Sequence, residues 1–263
     1  MYKFICGNSS EVLKEFDDNV FDATVTSPPY DNLRKYNGYS FDFESTAKEL
    51  YRVTKNGGVV VWVVGDATEK GSESGNSFRQ ALYFKDIGFN LHDTMIYEKN
   101  GSAFPSPRDG VRYTQIFEFM FVFSKGTPKT HNLIIDKPNR WAGFSNFGKP
   151  SHYLKDGTKV QSDKKNKPTP EFSARNNIWR YNNGYGYSTK DKISHPAIFP
   201  EDLARDHIIT WSNERDLILD PFSGSGTTVK IANMLGRDCV GIDISQDYID
   251  MSIKRMESDA NAK

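Results

Sequence analysis

The apolar positions of the chain fall into short runs that alternate with amphipathic segments. "YKFIC" near the start and "FDATVT" at 21–26 read as strands. "VVVWVVG" at 59–65 is almost wholly apolar, as expected of a strand covered on both faces. "SSEVLKEF" reads as a short helix capped by Ser9 or Ser10, and "FESTAKELYRV" as a longer one ended by the "NGG" at 56–58. "SFRQALYFKDIG" is a helix stopped by Gly88, and "LHDTMIYEK" and "TQIFEFMFVFS" are two strands able to pair with each other. Beyond residue 192 come the helix "FPEDLARDHIITWS", with Pro200 in its first turn, and the strand "DLILD". The glycine loop "PFSGSGTT", the helix "TVKIANMLG", the strand "DCVGIDI" and the helix "QDYIDMSIKRM" follow. This alternation predicts an α/β domain on a mainly parallel sheet.

Residues 127–192 break the pattern, with no period of 2 or 3.6 and much Gly, Pro, Asn and Lys. They hold 13 Lys/Arg against 5 Asp/Glu, a net of +8, while the whole chain balances at 34 against 34, so the remainder carries −8. Trp141, Phe144, Phe147, Tyr153, Trp179, Tyr181, Tyr185 and Tyr187 are interleaved with that charge. The segment reads as a functional insertion, leaving 1–126 and 193–263 to build the sheet domain.

A chain of 263 residues, 37% hydrophobic and 26% charged, suits one or two globular domains. Zero net charge removes any global electrostatic reason for a nucleic-acid or membrane partner, so that signal must come from the distribution of charge. Cys6 and Cys239 sit in apolar runs outside any CxxC pair, which predicts buried thiols and neither a zinc site nor a disulfide framework. No apolar run approaches the ~20 residues of a membrane span. The first residues lack the features of a signal peptide, so the expected location is cytoplasmic.

Two motifs carry candidate chemistry. "DPFSGSGTT" at 220–228 follows a strand and opens a helix, where glycines permit a tight turn and close approach of a ligand to the backbone. A phosphate-binding P-loop would need a Lys-Ser/Thr pair after its last glycine, and Gly226 is followed by Thr227 and Thr228. Asp243 ends the next strand, 17 residues after Gly226, where an acid is placed to hold ribose hydroxyls. With Asp220 as a second acid and no lysine, the loop suits a neutral or cationic nucleoside such as S-adenosylmethionine better than a polyphosphate.

The second motif is "TSPPY" at 26–30. An exocyclic amino group of cytosine or adenine is a poor nucleophile, because its lone pair is delocalised into the ring. Acceptors aimed at its N–H bonds localise that pair and stabilise the charge that develops in the transition state. Ser27 Oγ and the carbonyl of Pro28 are two such acceptors, Pro29 stiffens the backbone behind them, and Tyr30 offers a face on which a base stacks. A strand-ending turn with no chemistry is the plain alternative.

Taken together, "TSPPY" early, the basic aromatic segment in the middle and "PFSGSGTT" late resemble the beta-class DNA amino-methyltransferases, which methylate N4 of cytosine or N6 of adenine. The resemblance covers nearly all of the chain outside the insertion. It implies a Rossmann-like methyltransferase fold with a mostly parallel seven-stranded sheet, circularly permuted, and an irregular basic target-recognition insertion. It further implies S-adenosyl-L-methionine as cofactor, lying against Phe222, Gly224, Ser225, Gly226 and Thr227, with Asp220 beside the loop and Asp243 on the ribose. "HPAIFPEDL" resembles the segment that closes the cofactor pocket, which adds Ile198, Phe199 and Pro200. Where the family has Gly-Asp after the first strand, this chain has Gly7-Asn8, so Asn8 takes the place near the adenine.

Double-stranded DNA is the implied substrate, and the target base must leave the duplex to be reached. Arg34, Lys35 and Tyr36, just after the acceptor turn, are placed over the flipped base and nearby phosphates. Arg108 and Arg112 mark a second DNA-facing loop. Arg140, Trp141 and Arg180 are the contacts expected from the insertion. Serine in the motif goes mostly with cytosine N4 in that family, so N4-cytosine is the expected target and N6-adenine the alternative. A protein-glutamine methyltransferase, which normally carries asparagine in the motif and the opposite motif order, and an inactive DNA-binding module are further readings. A homodimer and a cognate restriction endonuclease are the protein partners left open.

Overall fold

The computed structural model describes residues 1–29, 41–100, 112–145, 148, 151–161, 167–182 and 200–261. They belong to two compact units, one of residues 1–132 and 177–263, the other of residues 133–176.

The larger unit is built on a sheet of eight described strands: β1 (Tyr2–Cys6), β2 (Phe21–Thr26), β3 (Thr54–Val64), β4 (Asn90–Lys99), β5 (Phe117–Ser124), β6 (Ile178–Tyr181), β7 (Leu217–Asp220) and β8 (Asp238–Asp243). Its helices are α1 (Ser9–Val12), α2 (Phe43–Val53), α3 (Asn76–Asp86), α4 (Glu201–Trp211), α5 (Thr227–Met234) and α6 (Gln246–Asn261). Across the sheet the strands run β1-β8-β7-β2-β3-β5-β4-β6. All neighbours are parallel except β5, which is antiparallel to both β3 and β4.

Val59 to Val64 are all buried, which explains the unbroken apolar run: β3 has a neighbour on each edge and packed side chains on each face. α2 starts where the Asp42 carboxylate accepts the Ser45 N–H at 3.1 Å and buries Thr46, Ala47, Leu50 and Val53 in one stripe. It ends at Val53, ahead of the expected glycines, because Thr54 turns extended and leads straight into β3. The glycines serve the strand instead: a Cβ on Gly58 would lie 2.9 Å from the Asp22 carbonyl, beside the irregularity in the β2–β3 register. α1 is capped by Asn8, whose Oδ1 accepts the Ser10 N–H at 3.0 Å, while the expected caps Ser9 and Ser10 are buried within its first turn. Cys239 is buried as expected, but Cys6 is exposed, since it ends an edge strand.

The eighth strand lies in the segment that the sequence marks as insertion. Ile178–Tyr181 pairs in parallel with Ile96–Lys99, and Trp179 is buried with its ring 4.7 Å from that of His207. Trp179 and Tyr181 therefore belong to the sheet layer. The smaller unit carries two antiparallel ladders, Ile135–Pro138 with Phe172–Ala174 and Ser151–Tyr153 with Lys159–Gln161. The Arg175 guanidinium brackets the Asp136 carboxylate at 2.6 to 2.9 Å and holds its pKa below the ordinary value. Among the described residues, no helix is long and apolar enough to cross a membrane, and no His/Cys/Asp/Glu group has the makings of a metal site.

The topology has one break in direction. From β7 the chain crosses to β8 on one side, and from β2 it crosses to β3 on the other. Adjacent strands whose crossovers part in this way leave a crevice beyond their carboxyl ends, where ligands bind in open α/β sheets. Residues 27–29 and "PFSGSG" leave β2 and β7 there.

Candidate active site at the β2–β7 switch point

The two strand ends are joined by a buried hydrogen bond. Thr26, the last residue of β2, donates its hydroxyl to Asp220 Oδ1 at 2.6 Å, and Asp220 is the last residue of β7. The same oxygen accepts the Phe222 N–H at 3.1 Å, so the carboxylate also sets the first turn of the glycine loop. One turn on, Thr228 donates its hydroxyl to the Val25 carbonyl at 3.2 Å. Asp220 is 4% exposed, and burial pushes its pKa up to about 6 against the pull of the Thr26 hydroxyl and the Phe222 N–H. Its Oδ1 thus braces the two segments against each other.

Above that brace the acceptor turn opens. Thr26 is fully buried, Ser27 half-buried, Pro28 buried and Pro29 half-buried, and no described peptide bond is cis. The Ser27 side chain thus leaves the end of a strand held by neighbours on both edges.

The glycine loop is shaped almost entirely by hydrogen bonds. The Gly224 N–H donates to Asp243 Oδ2 at 2.9 Å, the Ser223 N–H to the Ile242 carbonyl at 2.8 Å, and the Gly226 N–H to the Ser223 carbonyl at 2.7 Å. Asp243 also accepts the Ser245 N–H through Oδ1 at 2.9 Å, and its carbonyl takes the Gly7 N–H at 2.9 Å. Burial raises the Asp243 pKa. Each carboxylate oxygen has a second lone pair, so the half-buried Asp243 keeps capacity toward a ligand hydroxyl. Asn8 lies beside it, because Cys6 and Asp243 are register partners, and Asn8 spends its Oδ1 on the α1 cap while its amide nitrogen is a donor.

Gly224 and Gly226 both have positive φ, +49° and +74°. Gly226 is required by packing: a Cβ there would lie 2.8 Å from Ser252 Oγ on α6 and 3.2 Å from the Phe4 ring. Phe222 stands edge-on to Phe41 at 5.1 Å and to Trp62 at 6.0 Å, so it packs on the aromatic core while remaining partly accessible.

The residues expected from the sequence thus separate by exposure. Asn8, Ser27, Pro29, Phe222, Gly224 and Asp243 retain accessible surface around the crevice. Pro28, Pro200, Asp220, Ser225, Gly226 and Thr227 are buried, and form its frame. Tyr30, Arg34, Lys35, Tyr36, Arg108, Ile198 and Phe199 lie outside the described residues. Arg112 pairs with Glu73 at 3.9 Å and donates to the Gly71 carbonyl. Arg180, on the edge strand β6, is bound by Glu98 at 2.6 Å, which offsets its charge. In the smaller unit the Arg140 guanidinium lies 5.4 Å from the ring centre of Trp141, and Trp141 is 56% exposed beside Phe144.

Sequence reading missed the residues that frame the loop from behind. Arg255 of α6 donates to the Ser225 carbonyl and to Thr227 Oγ1, both at 3.0 Å, and Glu201 of α4 receives both Arg255 at 2.5 Å and Lys230 of α5 at 3.2 Å. Only the rarity of buried charge would have pointed to them, and burial is not visible in sequence. The site fits a nucleoside cofactor without phosphates. Among the described residues its accessible groups include a carboxylate, an amide and an aromatic ring, and Arg255 and Lys230 behind the loop are engaged by Glu201.

Known proteins bear on this geometry. A family model described as "DNA methylase" matches residues 21–254. The orphan methyltransferase M.BamHII of Bacillus amyloliquefaciens is 60% identical over 244 residues, which is 92% of this chain and 90% of that one. Among solved structures, the PvuII DNA methyltransferase (cytosine-N4-specific) superposes with a TM-score of 0.68 at 22% identity, covering 97% of this chain and 87% of that one. A putative DNA modification methylase of Thermus thermophilus, complexed with S-adenosyl-L-methionine, superposes with a TM-score of 0.65 at 19% identity, covering 98% and 94%. At these identities the superpositions establish the Rossmann-like fold.

Proposed function

This chain belongs to the DNA methylase family, and from that premise we propose that it methylates the exocyclic N4 of a cytosine flipped out of duplex DNA. The observation that carries the reading is the Thr26–Asp220 hydrogen bond, which holds the acceptor turn and the glycine loop side by side at the switch point.

S-adenosyl-L-methionine is the cofactor of this chain and supplies an electrophilic methyl group. In the proposed site, Asp243 and Asn8 hold the nucleoside end and Phe222 and Gly224 the region nearer the methyl. Ser27 Oγ and the Pro28 carbonyl accept the two N–H bonds of the target amino group, and Tyr30 stacks on the base. Pulling on those hydrogens makes the nitrogen more tetrahedral and its lone pair available. Bound there, the cofactor would supply its methyl carbon to that lone pair and leave as S-adenosyl-L-homocysteine, with one amino proton passing to solvent. The brace beneath the turn keeps the acceptors in place, so little reorganisation is left for the reaction itself.

The choice of cytosine rests on serine at position 27, since a hydroxyl in this motif goes mostly with N4 in the resembling family. DNA contact falls to the smaller unit, where Arg140 and Trp141 offer a cation and a stacking face, and to Arg34, Lys35, Tyr36, Arg108 and Arg112. We take residues 127–192, less the strand at 178–181, as the target-recognition region. Incubation with methyl-labelled cofactor and either unmethylated DNA or a protein mixture tests the reaction. Label entering DNA alone is expected, and label entering protein alone would overturn it.

A further inference from the structure

The cofactor loop is held from behind by three charged residues from three different helices. Arg255 is 6% exposed and contributes from the last helix. Its Nη1 donates to the Ser225 carbonyl and Thr227 Oγ1, and its Nη2 to Glu201 Oε1. Lys230, also 6% exposed, reaches the same carboxylate oxygen from one turn into α5. Glu201 is the first residue of α4 and follows the buried Pro200. A neighbouring residue of α6 adds to the grip, since Ser252 Oγ donates to the Gly224 carbonyl at 3.0 Å.

Two successive loop carbonyls, those of 224 and 225, are therefore drawn toward α6. A peptide is planar, so turning its carbonyl fixes the direction of the N–H on its other side. The accessible surface of Gly224, and the buried frame of Ser225 to Thr227 behind it, are thereby set from α6. Burying two cations and a carboxylate costs desolvation, and a packed apolar contact would hold the helices together as well. What an apolar contact cannot do is bind carbonyls in one orientation.

We propose that Arg255 is a positioning residue for cofactor binding, with Glu201 aiming its guanidinium and Lys230 fixing Glu201. This rests on the reading that the 222–227 loop holds the cofactor. The guanidinium's planar fork serves three acceptors at once, which a lysine ammonium at the same place would not match.

The test uses the full chain, with isothermal titration of S-adenosyl-L-homocysteine, steady-state kinetics on DNA, and thermal melting without ligand. Arg255→Met should weaken binding of S-adenosyl-L-homocysteine by about tenfold or more, the scale of one lost charge-assisted hydrogen bond. The KM for S-adenosyl-L-methionine should rise in step, with the loss falling on KM rather than on kcat. Arg255→Lys should recover part of the affinity. If Arg255→Met does not fold, Glu201→Leu, which leaves the guanidinium but removes the acceptor that aims it, should raise the same dissociation constant by about threefold or more. A dissociation constant within twofold of the native chain in whichever of these variants folds, or a loss confined to kcat, overturns the proposal. Failure of the native chain to bind the ligand at all would instead overturn the loop as the cofactor site.

Discussion

Ser27 follows a threonine already committed to Asp220, so its own hydroxyl leaves the sheet from a fixed point. Ser27→Ala should lower kcat by about 10²–10³-fold, the usual loss on removing one oriented transition-state partner, with cofactor and DNA dissociation constants unchanged. Thr26→Val should lower kcat as well, because it releases the strand end and leaves Asp220 short of a donor, and Thr26→Ser should restore it. Steady-state kinetics beside titration calorimetry check both. Two buried groups contribute to the pH dependence of stability in opposite senses. His207 lies between Trp179 and Met120 and is held neutral, its pKa lowered by burial from 6.5 to about 3. Its contribution is complete above pH 6.5 and is lost as pH falls toward 3, because the unfolded chain takes the proton first. Asp220 works in the other sense, with a contribution present below pH 3.8 that is lost as pH rises through about 6. His207→Phe should flatten the acid limb of a stability profile measured by urea melts from pH 3 to 7, and Asp220→Asn should steepen it between about 4 and 6.

At the scale of elements, the glycines of the loop do different things. Gly226→Ala should destabilise the fold by about 2–4 kcal/mol, since its Cβ would press on Ser252 and Phe4 at a left-handed φ. Gly224→Val should abolish cofactor binding, because a branched side chain is strained at φ +49° and occupies the accessible side of the loop. Chemical denaturation and ligand titration separate the two outcomes. Most elements were legible in the sequence because their cues are local. The buried run at Val59–Val64, the stripe of α2 and the glycine stop after α5 each lie within a dozen residues. Both motifs were legible for the same reason, and the resemblance placed them in one site. Their physical joint was not: Thr26 and Asp220 are 194 residues apart, and Arg255 and Glu201 are 54 apart. The edge strand Ile178–Tyr181 was missed because four residues show no period, and because its Trp, Arg and Tyr matched the composition of the basic segment around it.

Over the whole molecule, the proposed grip on DNA by a chain of zero net charge rests on the segregation of its cations. In the smaller unit, Arg140 and the exposed Trp141 make separable predictions. Arg140→Gln should weaken DNA binding at all sequences and reduce the slope of log affinity against log salt by about one. Trp141→Ala should weaken it by about tenfold with the slope unchanged, as for a lost stacking contact. Fluorescence anisotropy at several salt concentrations tells them apart. In the proposed reading, the two strand ends form one site that acts on the amino group of cytosine. Nucleoside mass spectrometry of DNA incubated with S-adenosyl-L-methionine and either the native chain or Ser27→Ala tests that reading. N4-methylcytosine from the native chain and almost none from Ser27→Ala is the predicted result. N6-methyladenine alone, or an equal yield and rate of N4-methylcytosine from both proteins, would contradict it.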